Sequence, residues 1–323
     1  MNAFGKIDFF PEQSGVSVCL LTYNHAHLVN EVVESILAQT YQNFELVISD
    51  DCSTDDTWDR IQKLSTFDTR IRPVQTPKNL GMPGNANFAV EQSAKPYVAL
   101  LHHDDYYHPE LLEKWAAVLD SYPSIGFVFN DYRYENGRVR GLILSPNPLD
   151  GKTFLEEQIF SSWGSPVRGT AMVRRSYWNA VGGMQERFNL LADVDLWMRL
   201  AARFSVGYVP EALITVRQQR PIGYPETYGT SGWSWARQRY LYEIYAENFL
   251  KLYSGTSFGR LRQIWFLMRL NSDQIKWISY AILRKRKDML MRAGEGATEY
   301  DWFSVKIYRW FAQHVGNLIL SPR

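Results

Sequence analysis

Pro96-Tyr-Val-Ala-Leu-Leu-His-His-Asp-Asp-Tyr-Tyr-His-Pro109 is the stretch from which the architecture can be read. Its apolar run, Tyr97 to Leu101, has the length and bulk of a buried strand. The run ends on two histidines, His102 and His103, and two adjacent carboxylates, Asp104 and Asp105. Pro109 then suits the first turn of a helix. Acids placed where a buried strand emerges lie at the carboxyl edge of a sheet, where open α/β sheets bind ligands. Neighbouring carboxylates repel, so the pair calls for a cation or strong donors, and hard oxygen ligands suit Mg²⁺ or Mn²⁺. The same two acids could instead cap the helix that follows.

Working outward, the pattern is strand alternating with helix. Val16 to Leu21 reads as a first strand, with a helix whose stripe is Leu28, Val32, Val33, Ile36 and Leu37. Glu45 to Ser49 is a second strand, and it too runs into paired acids, Asp50 and Asp51. A helix from about Asp55, a strand near Ile71 to Gln75, a loop at Asn79 to Gly84 and a helix from Asn85 to Ser93 lead back to the central strand. This spacing implies right-handed crossovers and a mixed, mainly parallel sheet flanked by helices, with all four acids on one edge.

Downstream, the spacing predicts strands at 125–130, 132–135 and 138–144 around Asn136-Gly137, and at 169–173. A helix at 174–181 ends on Gly182-Gly183. A further helix begins near Asp193, and strands at 206–209 and 213–217 close this part. Asp193 falls in a first turn, as an N-cap or as a group facing the cleft. Residues 218–232 read as a linker. Helical patterns near 233–254, 257–271, 273–290 and 299–316 form a C-terminal extension. The domains are thus 1–217, with a nucleotide half at about 15–130 and an acceptor half at 131–217, and a helical region at 233–323.

The 323 residues carry a net charge of +1, unevenly spread. Residues 1–215 hold 18 Lys and Arg against 26 Asp and Glu, and residues 216–323 hold 17 against 8. A basic tail containing Trp233, Trp235, Trp265, Trp277, Trp302 and Trp310, with Arg284-Lys-Arg-Lys287, is suited to a peripheral contact with an anionic membrane face; packing on the body or self-association would use the same helices. Two cysteines, Cys19 and Cys52, argue for a reducing, cytoplasmic setting. No secretory signal and no 18-residue apolar span is apparent. Neither a Gly-x-Gly-x-x-Gly turn nor a P-loop follows the first strand, which excludes those phosphate cradles. Nothing in the pattern points to nucleic acid.

Five blocks in register, over about residues 15–217, resemble the family 2 inverting glycosyltransferases of GT-A fold, a Rossmann-like nucleotide-diphospho-sugar transferase architecture. They are Val16-Ser-Val-Cys-Leu-Leu-Thr-Tyr-Asn24; Glu34 through Asp55; Asn79-Leu-Gly81 with Asn87; Leu101-His-His-Asp-Asp105; and Gly182-Gly183 with Asp193-Val-Asp-Leu-Trp-Met-Arg-Leu200. The resemblance implies that Thr22, Tyr23, Asn24, Asp50, Asp51, Asn79, Asn87, His103, Asp105 and Arg217 contact the donor nucleotide. It implies that Asp104 holds Mn²⁺ or Mg²⁺, with His102 and Asp105 behind it. Asp193 would be the catalytic base, and Asp195 the next candidate. The expected donor is a uridine or thymidine diphosphate sugar and the expected acceptor a glycan or lipid-linked hydroxyl, in cell-surface polysaccharide synthesis.

The sequence departs from the family pattern at three places. His102 replaces the first acid of Asp-x-Asp, Ala86 stands where an arginine is common before Asn87, and Arg217-Gln218-Gln219 replaces Arg-x-His. These departures motivate a noncatalytic sugar-nucleotide-binding subunit as the alternative, with a sugar nucleotidyltransferase third. Trp163, Tyr224 and Tyr228 could stack on sugar rings on the acceptor side.

Overall fold

The computed structural model describes residues 14–162, 164–217, 235–256, 259–284, 286 and 292–319. Trp163, Tyr224, Tyr228, Trp233, the 218–232 segment and part of the 284–287 basic run lie outside the described residues. The chain divides into two compact units, Met1–Gly223 and Tyr224–Arg323.

The first unit is built on one mixed sheet. Its strands are β1 (Val16–Thr22), β2 (Phe44–Asp50), β3 (Ile71–Gln75), β4 (Tyr97–His102), β5 (Asp105–Tyr107), β6 (Ile125–Tyr134), β7 (Val139–Arg140), β8 (Ala171–Arg174) and β9 (Ser205–Val216). The order is β3-β2-β1-β4-β8-β6-β9-β5, with β7 paired to β6. The first four strands are parallel, β8 runs antiparallel to both neighbours, and β9 is parallel to β6 and antiparallel to β5. β1 and β2 are buried along their whole length, as strands covered on both faces must be. Alternate residues Val16, Val18 and Leu20 pack with Val29, Val32, Val33 and Ile36 of α1 (Val29–Leu37) and with Trp115 of α4 (Leu111–Ser121). Helices α2 (Thr57–Ser65) and α3 (Gly81–Glu91) complete the crossovers of this half.

Four expectations in the first unit needed correction. The helix expected from Asn85 begins at Gly81, because Pro83 sits in the first turn, where its missing N–H has no partner to lose. Strand β5 is new, so Asp105 opens a strand and caps no helix; the residue preceding α4 is Glu110, whose side chain makes no cap. Residues 125–134 form one strand, and the hairpin partner is only Val139–Arg140. The two strands expected at 206–209 and 213–217 are one, β9, whose pairing with β6 slips between Val209 and Ala212, where Pro210 removes a ladder donor.

After β7, α5 (Gly151–Phe154) runs into a π-helical turn. α6 (Arg175–Val181) and α7 (Ala192–Ala201) follow, separated by a 3-10 turn. Phe127 of β6 packs on the fully buried Trp197 of α7, ring centroids 5.1 Å apart.

The second unit holds α8 (Trp235–Leu252), α9 (Gly259–Leu283) and α10 (Phe303–Ile319). The two helices expected at 257–271 and 273–290 are therefore one through Leu283. Asn271 does not break it: its amide donates to Leu267 O and Tyr300 O and its Oδ1 accepts from Trp302 N. Arg309 anchors this unit, donating to Asp301, Gln274, Ala293 O and Gly296 O. Among the described residues no helix is long and apolar enough to cross a membrane.

Candidate active site

The register of β1 with its neighbours makes the edge. Thr22 pairs with Asp50 and Leu21 with His102, so the ends of β1, β2 and β4 are level. Asp50 is fully buried and shapes its own turn, accepting from Ser53 N at 3.0 Å, from the Ser53 hydroxyl and from Gln75 Nε2 at 2.9 Å. Asp51 accepts from Leu80 N at 2.8 Å and Thr76 Oγ1 at 3.0 Å, and burial pushes its carboxyl above the usual range. Asn24, in the left-handed region at φ 54°, accepts from Thr54 N at 2.8 Å. Asn79 accepts from Gly81 N. Tyr23, just past the end of β1, is 39% exposed, as a platform for a planar group needs.

Beside this turn stands a pair of histidines. His25 and His103 lie ring on ring, centroids 3.6 Å apart. The Nδ1 of His103 lies 3.0 Å from Leu21 O, which assigns the proton to Nδ1. His103 Nε2 and His25 Nδ1 are buried with no hydrogen-bond partner among the described residues. Burial lowers the pKa of both rings, that of His25 to about 4.

The acids of the central stretch follow. The Tyr107 hydroxyl accepts from His102 N and donates to His102 O, both at 2.7 Å, and so pins the turn. His102, Asp104 and Asp105 each offer one ligand atom within 4.8 Å of the others. Asp105 is 1% exposed and its Oδ1 has no hydrogen-bond partner among the described residues. Burial, then the Asp104 charge, pushes its carboxyl up to about 7. Asp104 is also raised by burial, but His103, His102 and Arg168 outweigh this and hold it below the ordinary range. A buried, partnerless carboxylate oxygen beside an ionised carboxylate and an imidazole nitrogen fits a divalent cation.

Gly169, just before β8, closes the site. At φ +80° it occupies backbone space that other residues rarely adopt. A Cβ there would stand 2.7 Å from His102 Cε1 and 3.0 Å from Asp193 Oδ2. The backbone of 169 is thus the floor on which the acidic edge and Asp193 meet. Asp193 is the second residue of α7 and half-buried, and Leu191 takes the N-cap position. Asp195 points elsewhere. It is 1% exposed and bound to Arg199 at 2.7 Å, and Arg199 in turn donates to Val181 O and Gly183 O.

Two expected donor residues are engaged elsewhere. Asn87 exchanges two hydrogen bonds of 2.9 Å with the backbone of Met184, clipping α3 to the loop after α6. Arg217 donates to Glu31 at 2.6 Å and lies over the Tyr106 ring. Three residues escaped the sequence reading. Tyr107 and His25 carried only the signal of lying near the acids or the first strand. Arg168 carried none beyond its place before a glycine that opens a strand.

An acidic edge at the switch from parallel to antiparallel strands, facing an aspartate at a helix start, describes the GT-A class of nucleotide-sugar enzymes. The family model "Glycosyl transferase family 2" matches residues 17–182, and the chain belongs to that family and is a glycosyltransferase. It is 31% identical over 215 residues to EpsE of Bacillus subtilis (strain 168), covering 63% of this chain and 73% of EpsE. It is 34% identical over 136 residues to the Escherichia coli UDP-Glc:alpha-D-GlcNAc-diphosphoundecaprenol beta-1,3-glucosyltransferase WfaP, covering 42% of this chain and 53% of WfaP. The S. aureus TarS 1-349 structure in complex with UDP-GlcNAc superposes with a TM-score of 0.61 at 19% identity, over 96% of this chain and 93% of that one. The family match ends before Asp193.

Proposed function

We propose that this chain is an inverting glycosyltransferase. It moves a sugar from a UDP or dTDP donor to a hydroxyl of a glycan or lipid-linked acceptor, for cell-surface polysaccharide. The observation that carries this is the meeting of Asp193 with the His102–Asp105 edge across Gly169. The names of WfaP and of the TarS complex support a uridine donor and, for WfaP, a lipid-diphosphate acceptor.

The mechanism follows from positions. The base lies against Tyr23 with Asp51 beside it, and the diphosphate lies toward Asp104. Asp104, Asp105 and His102 would hold Mn²⁺ or Mg²⁺, which when bound neutralises diphosphate charge. Asp193 takes the proton of the acceptor hydroxyl, whose oxygen bonds the anomeric carbon as the carbon–oxygen bond to the diphosphate breaks. One displacement inverts the configuration. The retention of Asp104 and Asp193 in one site favours this over a noncatalytic role.

The basic tail has a counterpart in α9. Leu261, Ile264, Trp265, Met268 and Ile275 are exposed at helical spacing, with Arg260 and Arg262 beside them. This stripe suits the peripheral contact with an anionic membrane face. Flotation with anionic vesicles tests it, and equal flotation of wild type and Trp265→Glu would count against it.

Calorimetric titration of UDP and dTDP, with and without Mn²⁺, tests the donor site. Metal-dependent binding that is lost in Asp104→Ala supports it. Absence of binding of both nucleotides to folded wild type with metal refutes it.

A further inference from the structure

We infer that Arg168 is a diphosphate-binding side chain of this enzyme, a role that nothing in the five family blocks assigns to it. The inference rests on the donor-site reading above and names a residue that the reading leaves out.

Asp104 and Asp105 face a ligand that itself carries negative charge, and two arginines send their field onto these acids, Arg168 and Arg217. Arg217 is engaged: it is ion-paired to Glu31 at 2.6 Å and its guanidinium lies 4.2 Å from the Tyr106 ring centroid, turned toward α1. Arg168 has neither an ion pair nor a hydrogen bond among the described residues. Its guanidinium carbon lies 5.4 Å from the Tyr132 ring centroid, and the side chain is exposed. An aromatic face engages the plane of a guanidinium rather than its N–H donors.

Position agrees with charge. Arg168 immediately precedes Gly169, where a side-chain carbon would stand 2.7 Å from His102 Cε1 and 3.0 Å from Asp193 Oδ2. The residue is therefore carried on the floor between acceptor base and acidic edge. The exposed side chain reaches that edge through its field, which acts on His102, Asp104, Asp105 and Tyr107 together. A guanidinium presents parallel N–H donors that match two phosphate oxygens.

The sequence explains why one is needed. Ala86 removes the arginine common before Asn87, and Gln219 replaces the histidine of Arg-x-His. Arg168 restores the lost positive charge from a different loop. As the anomeric carbon–oxygen bond breaks, the electron pair passes to the diphosphate oxygen, and Arg168 stabilises that charge as it develops.

Calorimetry with UDP and with uridine, both with Mn²⁺, on wild type, Arg168→Ala and Arg168→Lys tests the assignment. Losing one charge-assisted, bidentate contact weakens UDP about 10- to 100-fold. Uridine, which lacks phosphate, binds all three proteins alike, and Arg168→Lys recovers part of the UDP affinity. Arg168→Ala that binds UDP within twofold of wild type overturns the inference and leaves the donor site standing. Equal losses for UDP and uridine also overturn it, since they mark a structural role. Wild type that binds neither UDP nor dTDP removes the donor reading, and the inference with it.

Discussion

Adding one methyl group at Gly169 tests the geometry of the site most directly. In Gly169→Ala the new carbon falls 2.7 Å from His102 Cε1, 2.9 Å from His102 Nε2 and 3.0 Å from Asp193 Oδ2. Comfortable contact is about 3.5–4 Å, so the imidazole and the carboxylate must each retreat by up to about 1 Å. The backbone, at φ +80°, adds about 1–2 kcal/mol of strain for a residue with a Cβ. Gly137→Ala separates the two effects, because Gly137 has φ +81° with nothing within 4 Å of its Cβ position. Both variants should melt about 2–6 °C below wild type. Only Gly169→Ala should lose turnover, by about 100-fold, since a displacement near 1 Å takes a reacting group out of line. Thermal melts and initial rates of nucleoside diphosphate release measure the two quantities. Wild-type turnover by Gly169→Ala, with a melt equal to that of Gly137→Ala, would refute the claim that the edge and Asp193 meet at this point.

Two further outcomes concern stability. His25 has its pKa lowered from 6.5 to about 4 by burial and then by His103, so the unfolded chain takes up a proton before the folded chain does. Stability is lost as pH falls through that window, by about 2 kcal/mol at pH 5, and His25→Gln should flatten this part of the pH profile in urea melts; unchanged slopes would count against it. Arg199→Met removes the cation that binds buried Asp195 and should destabilise by about 3–5 kcal/mol in urea melts, and a wild-type melt would count against the buried pair. Asp193→Asn should lose turnover, and wild-type initial rates would count against its role as base.

The acidic edge was legible because it is local. Apolar runs that end in Asp50-Asp51 and in Asp104-Asp105 need only their own sequence to place them, and β1 to β4 matched expectation within a residue or two at most ends. What escaped depends on partners far along the chain. β5 is three polar or aromatic residues that become a strand only because β9 pairs with them. Pro210 breaks the pattern of β9 in sequence, while the fold absorbs it in a bulge. Asn87 fitted a donor contact by motif, yet its amide closes on Met184, a residue that motif spacing does not bring near it. The Asp301–Arg309 pair in the second unit, with the Arg309 side chain 4% exposed, gave no sign in the sequence, because the two lie eight positions apart across turn and helix with no pattern that marks the pair.

The pairing of Asp105 with Val216 has a consequence for synthesis. The parallel strands β1 to β4 are complete once the chain has passed His102. Strand β5, which pairs with β9 at the far edge of the sheet, must wait until the end of β9 has left the ribosome, about a third of the chain later. The buried carboxylate of Asp105 is thus fixed in place by the last hydrogen bonds of the sheet. A nascent chain carries the nucleotide-side turn early and acquires the full acidic edge only when the first unit is finished, so assembly and activity are joined by the order in which the sheet is built.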